Sequence, residues 1–359
     1  MAQPHVVILG GGFGGLTAAR ALAKAPVRVT LVDRRNHHLF QPLLYQVATA
    51  ALNPSDIAYP IRAVLAKQAN ARVLLADARG IDPVRRVVTL DDGELAYDYL
   101  VVATGATHSY FGHDDWSPHA PGLKSIEDAL EIRRRVFLAY EAAEREADPA
   151  AQAAWLRFVV VGAGPTGVEL AGALGEIGLH TLAKDFRTID PTRVEVLLVE
   201  GNPRVLGGFT PKLGAAAEAS LGRRHVTVRC NTKVTAVDAD GVEVQLADGR
   251  RERIDARTVL WAAGVKASPL AASLGVPLDG AGRVKVEGDL SIPGHPEVFV
   301  VGDLAAYAFD GKPVPGVCQG AIQGGRHAAR MIRADLAAGK RAPFRYKDKG
   351  SLATIGRTS

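Results

Sequence analysis

A chain of 359 residues with 47% apolar composition is long enough for two or three packed domains with full cores, which excludes a disordered, collagenous or disulfide-stapled protein. The formal charge of +5 is unevenly placed: residues 326–359 hold nine Lys/Arg and two Asp/Glu, a net +7, and residues 1–325 sum to −2. Aromatic residues are only 6%, so no chain-wide surface interleaves cations with stacking rings, and nucleic acid is excluded as a partner.

The N-terminus enters an apolar run with no charged n-region or cleavage site, so no signal peptide is expected, and no window of 18 uninterrupted apolar residues spans a membrane. Residues 6–22 (VVILGGGFGGLTAARAL) read as a buried parallel strand, a glycine turn and a helix, followed by a second strand at 27–32 (VRVTLV). The unit recurs at an offset of 152, where residues 158–174 (FVVVGAGPTGVELAGAL) lead to a second strand at 194–199. Further buried strands are expected at 100–103, 259–262 and 298–301, each closing on a glycine-bearing turn. Residues 125–147 read as a charged surface helix, and ADPAAQAA (147–154) as a linker. Alternating stretches at 226–228, 235–237 and 242–246 predict an antiparallel meander. Cys230 and Cys318 are 88 residues apart and form no C-x-x-C or metal-spaced set, so a reduced compartment is the default and no metal is expected.

One Gly-x-Gly-x-x-Gly match is weak, since roughly 0.4 arise by chance in such a chain. Two matches, each between a strand and a helix, are specific. Gly10 and Gly162 permit the turn, Gly12 and Gly164 let backbone close on a pyrophosphate, and Gly15 and Gly167 let helix pack on strand. The helix N-termini, with Phe13 and Gly14 in one copy and Pro165 and Thr166 in the other, offer free N–H groups to the phosphates. Each second strand ends in a carboxylate, Asp33 or Glu200, able to accept from ribose hydroxyls while repelling a 2′-phosphate, which predicts NADH over NADPH. Arg34 and Arg35 either grip adenine or phosphate or are exposed flanking charge. Gly162 to Glu200 spans 38 residues, so the segment around 179–192 is an insertion. Two dinucleotide sites in one chain point to a flavin reduced by NADH, and three more glycine turns are expected beside it: Ala103-Thr104-Gly105, Ala262-Ala263-Gly264 and Gly302-Asp303.

These residues resemble the two-dinucleotide-binding-domain flavoproteins, and within them the type II NADH dehydrogenases, single-subunit NADH:quinone oxidoreductases that pump no protons. The resemblance covers essentially the whole chain and is carried by HLFQPLLYQVAT (38–49), GAGPTGVELAGAL (162–174), VEGNPRVL (199–206), VFVVGDLA (298–305), VCQGAIQGG (317–325) and FRYKDKGSLATIGR (344–357). It implies an α/β fold of two Rossmann-like domains with glutathione-reductase-like architecture: FAD-binding parts at 1–115 and 270–335, an NADH-binding domain inserted at 116–269, and the start of a C-terminal membrane and quinone unit at 336–359. It further implies FAD and NADH as cofactor and co-substrate. Gly302 and Asp303 would hold the ribityl chain, Asp33 the FAD ribose, and residues 38–49 the isoalloxazine. Glu169 would act in a charge or proton relay, although a carboxylate early in a helix is favoured by the dipole anyway.

Gln319 and Gln323, four apart and so on one helical face, match the family's quinone-pocket glutamines, with Gln319 also near the cofactor. An amide suits a quinone, because its NH₂ donates to a carbonyl oxygen in an apolar slot. His327, one turn on, reads as a solvated helix histidine and, more weakly, as a proton source for reduced quinone. Lys349 is placed near the flavin or the quinone entrance by the resemblance alone. The partner implied is a quinone of ubiquinone or menaquinone type, at the cytoplasmic face of the cell membrane as a peripheral protein, and dimers are common in the family, which leaves a homodimer open. Family members continue past IGR into amphipathic helices that dock on the membrane. A chain stopping at Ser359 is expected to be soluble, to bind membranes more weakly and to reduce long-tailed quinones poorly, with its +7 stretch at the rim facing anionic headgroups.

Cysteine is absent around residues 37–42, which removes a flavin-to-disulfide relay, and the lone Cys230 and Cys318 argue against a sulfide:quinone reductase. A ferredoxin-reductase-like enzyme with another acceptor and a non-enzymatic NADH-sensing flavoprotein are the alternatives.

Overall fold

The computed structural model describes residues 3–356. Arg357 of the FRYKDKGSLATIGR stretch and the terminal Thr358 and Ser359 lie outside the described residues. The chain forms two compact units. The first comprises the segment ending at Leu39, Ala58–Thr107 and Val265–Lys349. The second comprises Phe40–Ile57, His108–Gly264 and the described residues from Gly350 on. The segment bearing residues 38–49 therefore divides after Leu39. Of the described residues after 336, those up to Lys349 belong to the first unit and those from Gly350 to the second.

In the first unit the strand His5–Leu9 is buried at every residue, as a central parallel strand must be. It lies inside a six-stranded sheet ordered Ser291–Ile292, His295–Val300, Tyr99–Val102, His5–Leu9, Arg28–Asp33, Ala71–Leu75; all neighbours are parallel except the first pair. Alternation sends Val6 and Ile8 to one face and Val7 and Leu9 to the other. The first face is covered by helices Phe13–Ala21 and Cys318–Leu336. These two helices meet at glycine: a Cβ on Gly325 would run into the carbonyl oxygen of Gly14.

The second unit repeats the plan with four parallel strands ordered Val226–Arg229, Glu195–Val199, Arg157–Val161, Thr258–Trp261. Val226–Arg229 is thus the edge of this parallel sheet and not part of a meander. Its apolar residues are continued by the parallel register with Val196 to Val199. The antiparallel meander is formed by Lys233–Asp238, Gly241–Gln245 and Arg251–Asp255. The surface helix runs Ile126–Arg145 and begins in a capping box between Ser125 and Asp128. The expected linker is instead the helix Pro149–Trp155: Asp148 caps it by accepting from Ala151 N, and Pro149 fits its first turn. The insertion before Glu200 starts as a π-helical turn, Ile177–Thr181, continuing helix Pro165–Glu176.

Candidate functional site: two glycine turns and a glutamine helix

In the first unit Gly10 takes φ +100°, a backbone open to glycine, and its N–H donates to Val32 O at 2.8 Å, tying the turn to the neighbouring strand. A Cβ on Gly15 would strike the carbonyl oxygen of Gly10, so helix and strand can approach this closely only without one. Above Gly12 there is open space, and Gly12 caps helix Phe13–Ala21 with no side-chain acceptor, leaving the first N–H groups to face outward. Asp33, at the end of its strand, accepts from Gly11 N at 2.5 Å and Arg35 N at 2.7 Å, so its carboxylate is fixed beside the turn. Arg34 is exposed. The His38 ring lies edge-on to Phe13 at 5.1 Å with Nδ1 2.9 Å from Gly11 O. Ala103 N donates to Leu9 O at 2.8 Å, which sets the 103–105 turn alongside; Gly105 is left-handed at φ +67°, and the enclosed Thr104 hydroxyl has no hydrogen-bond partner among the described residues. Gly302 (φ +72°) opens the turn that carries Asp303.

The second unit reproduces this arrangement. Gly162 has φ +98° and donates to Val199 O at 2.8 Å; a Cβ on Gly167 would strike Gly162 O; Gly164 faces open space and caps helix Pro165–Glu176 without a side chain. Pro165 and Thr166 form the exposed first turn of that helix. Glu200 accepts from Ala163 N at 2.7 Å and from Asn202 N at 2.8 Å. Ala263 and Gly264 (φ +85°) follow strand Thr258–Trp261, with the Ala263 backbone against Gly162. Glu169 is half-buried; burial pushes its carboxyl up to about 7, against the stabilising N–H of Thr354, which donates to Oε1 at 3.2 Å. Thr354, Ile355 and Gly356 lie along this helix, with Ile355 filling the notch at Gly172.

Gln319 and Gln323 occupy one face of helix Cys318–Leu336 in the first unit. Their side chains differ in use. Gln323 Nε2 donates to Lys347 O and Lys347 N donates back to Gln323 Oε1, both at 2.9 Å, so this amide clasps the chain that follows the helix. His327 is not solvated: it is 1% exposed, packed against the Phe344 ring at 5.3 Å, because its helix turn faces the core with Ala328 and Met331. Burial, reinforced by Arg330, lowers its pKa to about 4, so it is neutral near pH 7 and its acidic imidazolium form is scarce there.

Open space over both cap glycines, uncapped helix N-termini, fixed carboxylates and an orphaned Thr104 hydroxyl all fit dinucleotides. Three features escape a sequence reading. The Gln323 clasp, the Thr354 N–H at Glu169 and the placement of Phe111 against Gly264 join residues with no shared pattern.

The pyridine nucleotide-disulphide oxidoreductase profile matches residues 4–325. The chain is 49% identical to the type II NADH:quinone oxidoreductase Ndh of Mycobacterium tuberculosis, over 100% of this chain and 80% of that one. It is 31% identical to the type II NADH:quinone oxidoreductase of Staphylococcus haemolyticus, over 99% and 89%. Among solved structures, NDH2 of Plasmodium falciparum in complex with NADH superposes with a TM-score of 0.92 at 20% identity, covering 99% of this chain and 89% of that one. The sulfide:quinone oxidoreductase of Aquifex aeolicus superposes at 0.77 with 24% identity, covering 94% and 78%, a likeness of fold alone. With two glycine turns built to one plan and relatives of this identity along its whole length, the chain belongs to the type II NADH:quinone oxidoreductases of the pyridine nucleotide-disulphide oxidoreductase family.

Proposed function

We propose that the chain oxidises NADH and reduces a quinone of ubiquinone or menaquinone type, with FAD held in the first unit and NADH in the second, and without pumping protons. The observation that carries this reading is the duplicated turn, in which a cap glycine open to space stands beside a carboxylate fixed by two backbone N–H groups. FAD held by these residues would supply the two-electron chemistry that links NADH to a quinone. The other roles fall to the chain. Gly10, Gly12, Phe13, Gly14 and Gly15 bring backbone N–H groups to the FAD pyrophosphate, and Asp33 accepts from its ribose. Thr104, Gly105, Gly302 and Asp303 complete that cradle, the free Thr104 hydroxyl donating to the cofactor. Gly162, Gly164, Pro165, Thr166 and Gly167 receive the NADH pyrophosphate, Glu200 its adenosine ribose, and Ala263 and Gly264 its other half.

Glu169, with a pKa near 7, holds and releases a proton at working pH. Gln319 offers its amide to a quinone carbonyl, while Gln323, on the same helix face, clasps the backbone of Lys347. Arg326, Arg330 and Arg333 stand exposed along one face of helix Cys318–Leu336, and attract anionic headgroups where a peripheral enzyme meets its lipid-borne substrate. Among the described residues no helix is long and apolar enough to cross a membrane.

The test is an anaerobic titration with NADH followed at the flavin absorbance, then addition of a short-chain quinone. Stoichiometric bleaching by NADH and recovery on quinone addition are expected. Bleaching that recovers only with oxygen or a ferredoxin sinks the quinone reading.

A further inference from the structure

Phe111 is an exposed aromatic ring in a backbone conformation that disfavours it. It is 69% exposed and takes φ +54°, beside Gly112 at φ +97°. A bulky residue in the left-handed region costs about 1 kcal/mol or more, and exposure of the ring forgoes the gain from burial. Yet the turn that presents it is firmly built. His113 N donates to Tyr110 O at 3.0 Å across the turn. On one side Tyr110 is buried, stacks on Trp261 at 5.1 Å and donates its hydroxyl to Ala120 O at 2.8 Å; on the other His113 stacks on Trp116 at 4.2 Å. The edge of the Phe111 ring abuts Gly264: a Cβ there would lie 2.5 Å from Cζ.

Sheet order says what passes this point. In the second unit Glu195–Val199, Arg157–Val161 and Thr258–Trp261 are successive parallel strands; Glu200 and Gly162 directly follow the first two, and Gly264 lies three residues past the end of the third. A dinucleotide that gives its adenosine ribose to Glu200 and its pyrophosphate to the Gly162 turn crosses the strand ends in that order. Its second nucleotide, the nicotinamide half, arrives over Gly264, where an exposed ring is waiting.

We propose that Phe111 is a specificity-determining residue that packs against the nicotinamide half of the bound dinucleotide. The proposal rests on the assignment of NADH to the second unit. A planar, apolar surface beside a turn with no side chain selects a flat ring over water, and the anchored flanks mean the ring is ordered before the ligand arrives.

The experiment compares NAD⁺ with ADP-ribose, which has the adenosine, pyrophosphate and terminal ribose but no nicotinamide, by competition against NADH on flavin-loaded protein. If Phe111 acts as proposed, Phe111→Leu weakens NAD⁺ about fivefold or more and leaves ADP-ribose unchanged, and Phe111→Tyr restores the wild-type ratio. A ratio of the two affinities is insensitive to the fraction of protein that folds. Equal losses for both ligands, or no loss for either, overturn the role of Phe111. Failure of ADP-ribose to compete with NADH in the wild-type protein overturns the assignment of the dinucleotide to this turn, and the proposal with it.

Discussion

The two glycine turns are nearly superposable in plan, yet each sits in a different polar setting. Gly10 and Gly162 differ by 2° in φ, being +100° and +98°, and each donates over 2.8 Å to the last valine of the next strand. What the shared geometry fixes is the grip on a pyrophosphate, since that depends on backbone alone. What differs is the chemistry nearby. Behind the first turn lies a helix face with a buried neutral histidine, and behind the second a helix with a half-buried carboxyl of raised pKa. A fold duplicated for binding has been differentiated by titratable groups on the helices packed nearby, Glu169 two residues past its turn and His327 more than 300 positions along the chain from the other.

The comparison breaks most severely at the third glycines. Gly15→Ala and Gly167→Ala each push a methyl into a carbonyl oxygen of their own turn, which forces backbone movement and costs about 3 kcal/mol or more. Gly15→Ala is expected to yield protein without flavin, and Gly167→Ala protein that keeps flavin but binds NADH at least tenfold more weakly. Flavin absorbance per chain and NADH titration separate the two. Gly12→Ala and Gly164→Ala are the controls. A methyl there meets no atom of the described residues within 4 Å, so stability of the flavin-free chain should hold while ligand affinity falls. Loss of stability in the controls would mean that the turns are shaped for packing and not for a ligand.

The titratable groups give the two units opposite responses to pH. His327 has a folded pKa lowered to about 4 from an ordinary value near 6.5. Its stabilising neutral form is fully populated above the ordinary value, and stability is lost as pH falls from about 6.5 toward 4, by at most about 3 kcal/mol. Glu169 has a folded pKa raised to about 7. Its contribution is complete below about 4.5 and is lost as pH rises through 7, by about 1–2 kcal/mol given its partial exposure. Thermal unfolding from pH 4 to 8 is therefore expected to lose its acid-side decline in His327→Leu and its neutral-side decline in Glu169→Gln. Unchanged pH profiles in both variants would show that neither group distinguishes the units.

The parts of this comparison that depend on backbone were legible in the sequence. Glycine at three spaced positions and a carboxylate closing the next strand are demands that a turn places on residue type, so they survive as a pattern. The buried strands His5–Leu9 and Arg157–Val161 were legible as well, from their continuous apolar runs, but strand order was not: Val226–Arg229 reads as part of a meander and is the edge of a parallel sheet. The settings were not legible, because they arise between residues far apart in the chain. Thr354 reaches Glu169 across 185 positions. His327 looked solvated because its neighbours Arg326 and Arg330 are charged; only the packing of its helix turns that one side chain inward. The Asp148-Pro149 start of a helix was a local signal, and alanine-rich composition disguised it as a linker.

The smallest expected difference lies between the carboxylates themselves. A carboxylate has about four acceptor positions. Among the described residues Asp33 accepts one N–H on each oxygen, from Gly11 and Arg35, whereas Glu200 accepts three, from Ala163 N on one oxygen and from both Asn202 N and Asn202 Nδ2 on the other, the last at 2.7 Å. Asp33 thus keeps capacity for both hydroxyls of a ribose, and Glu200 keeps less. Hydrogen bonds to a charged group contribute about 1.5–3 kcal/mol, so Asp33→Asn is expected to weaken FAD retention by at least tenfold. Glu200→Gln should narrow the preference for NADH over NADPH by about tenfold or less, chiefly by removing the charge that repels a 2′-phosphate. Asn202→Ala sharpens the point, because it releases an acceptor position on Glu200 and should tighten NADH by a few-fold in direct titration. Equal effects of Asp33→Asn and Glu200→Gln, with Asn202→Ala silent, would mean that charge alone acts at both sites and that acceptor capacity does not separate them.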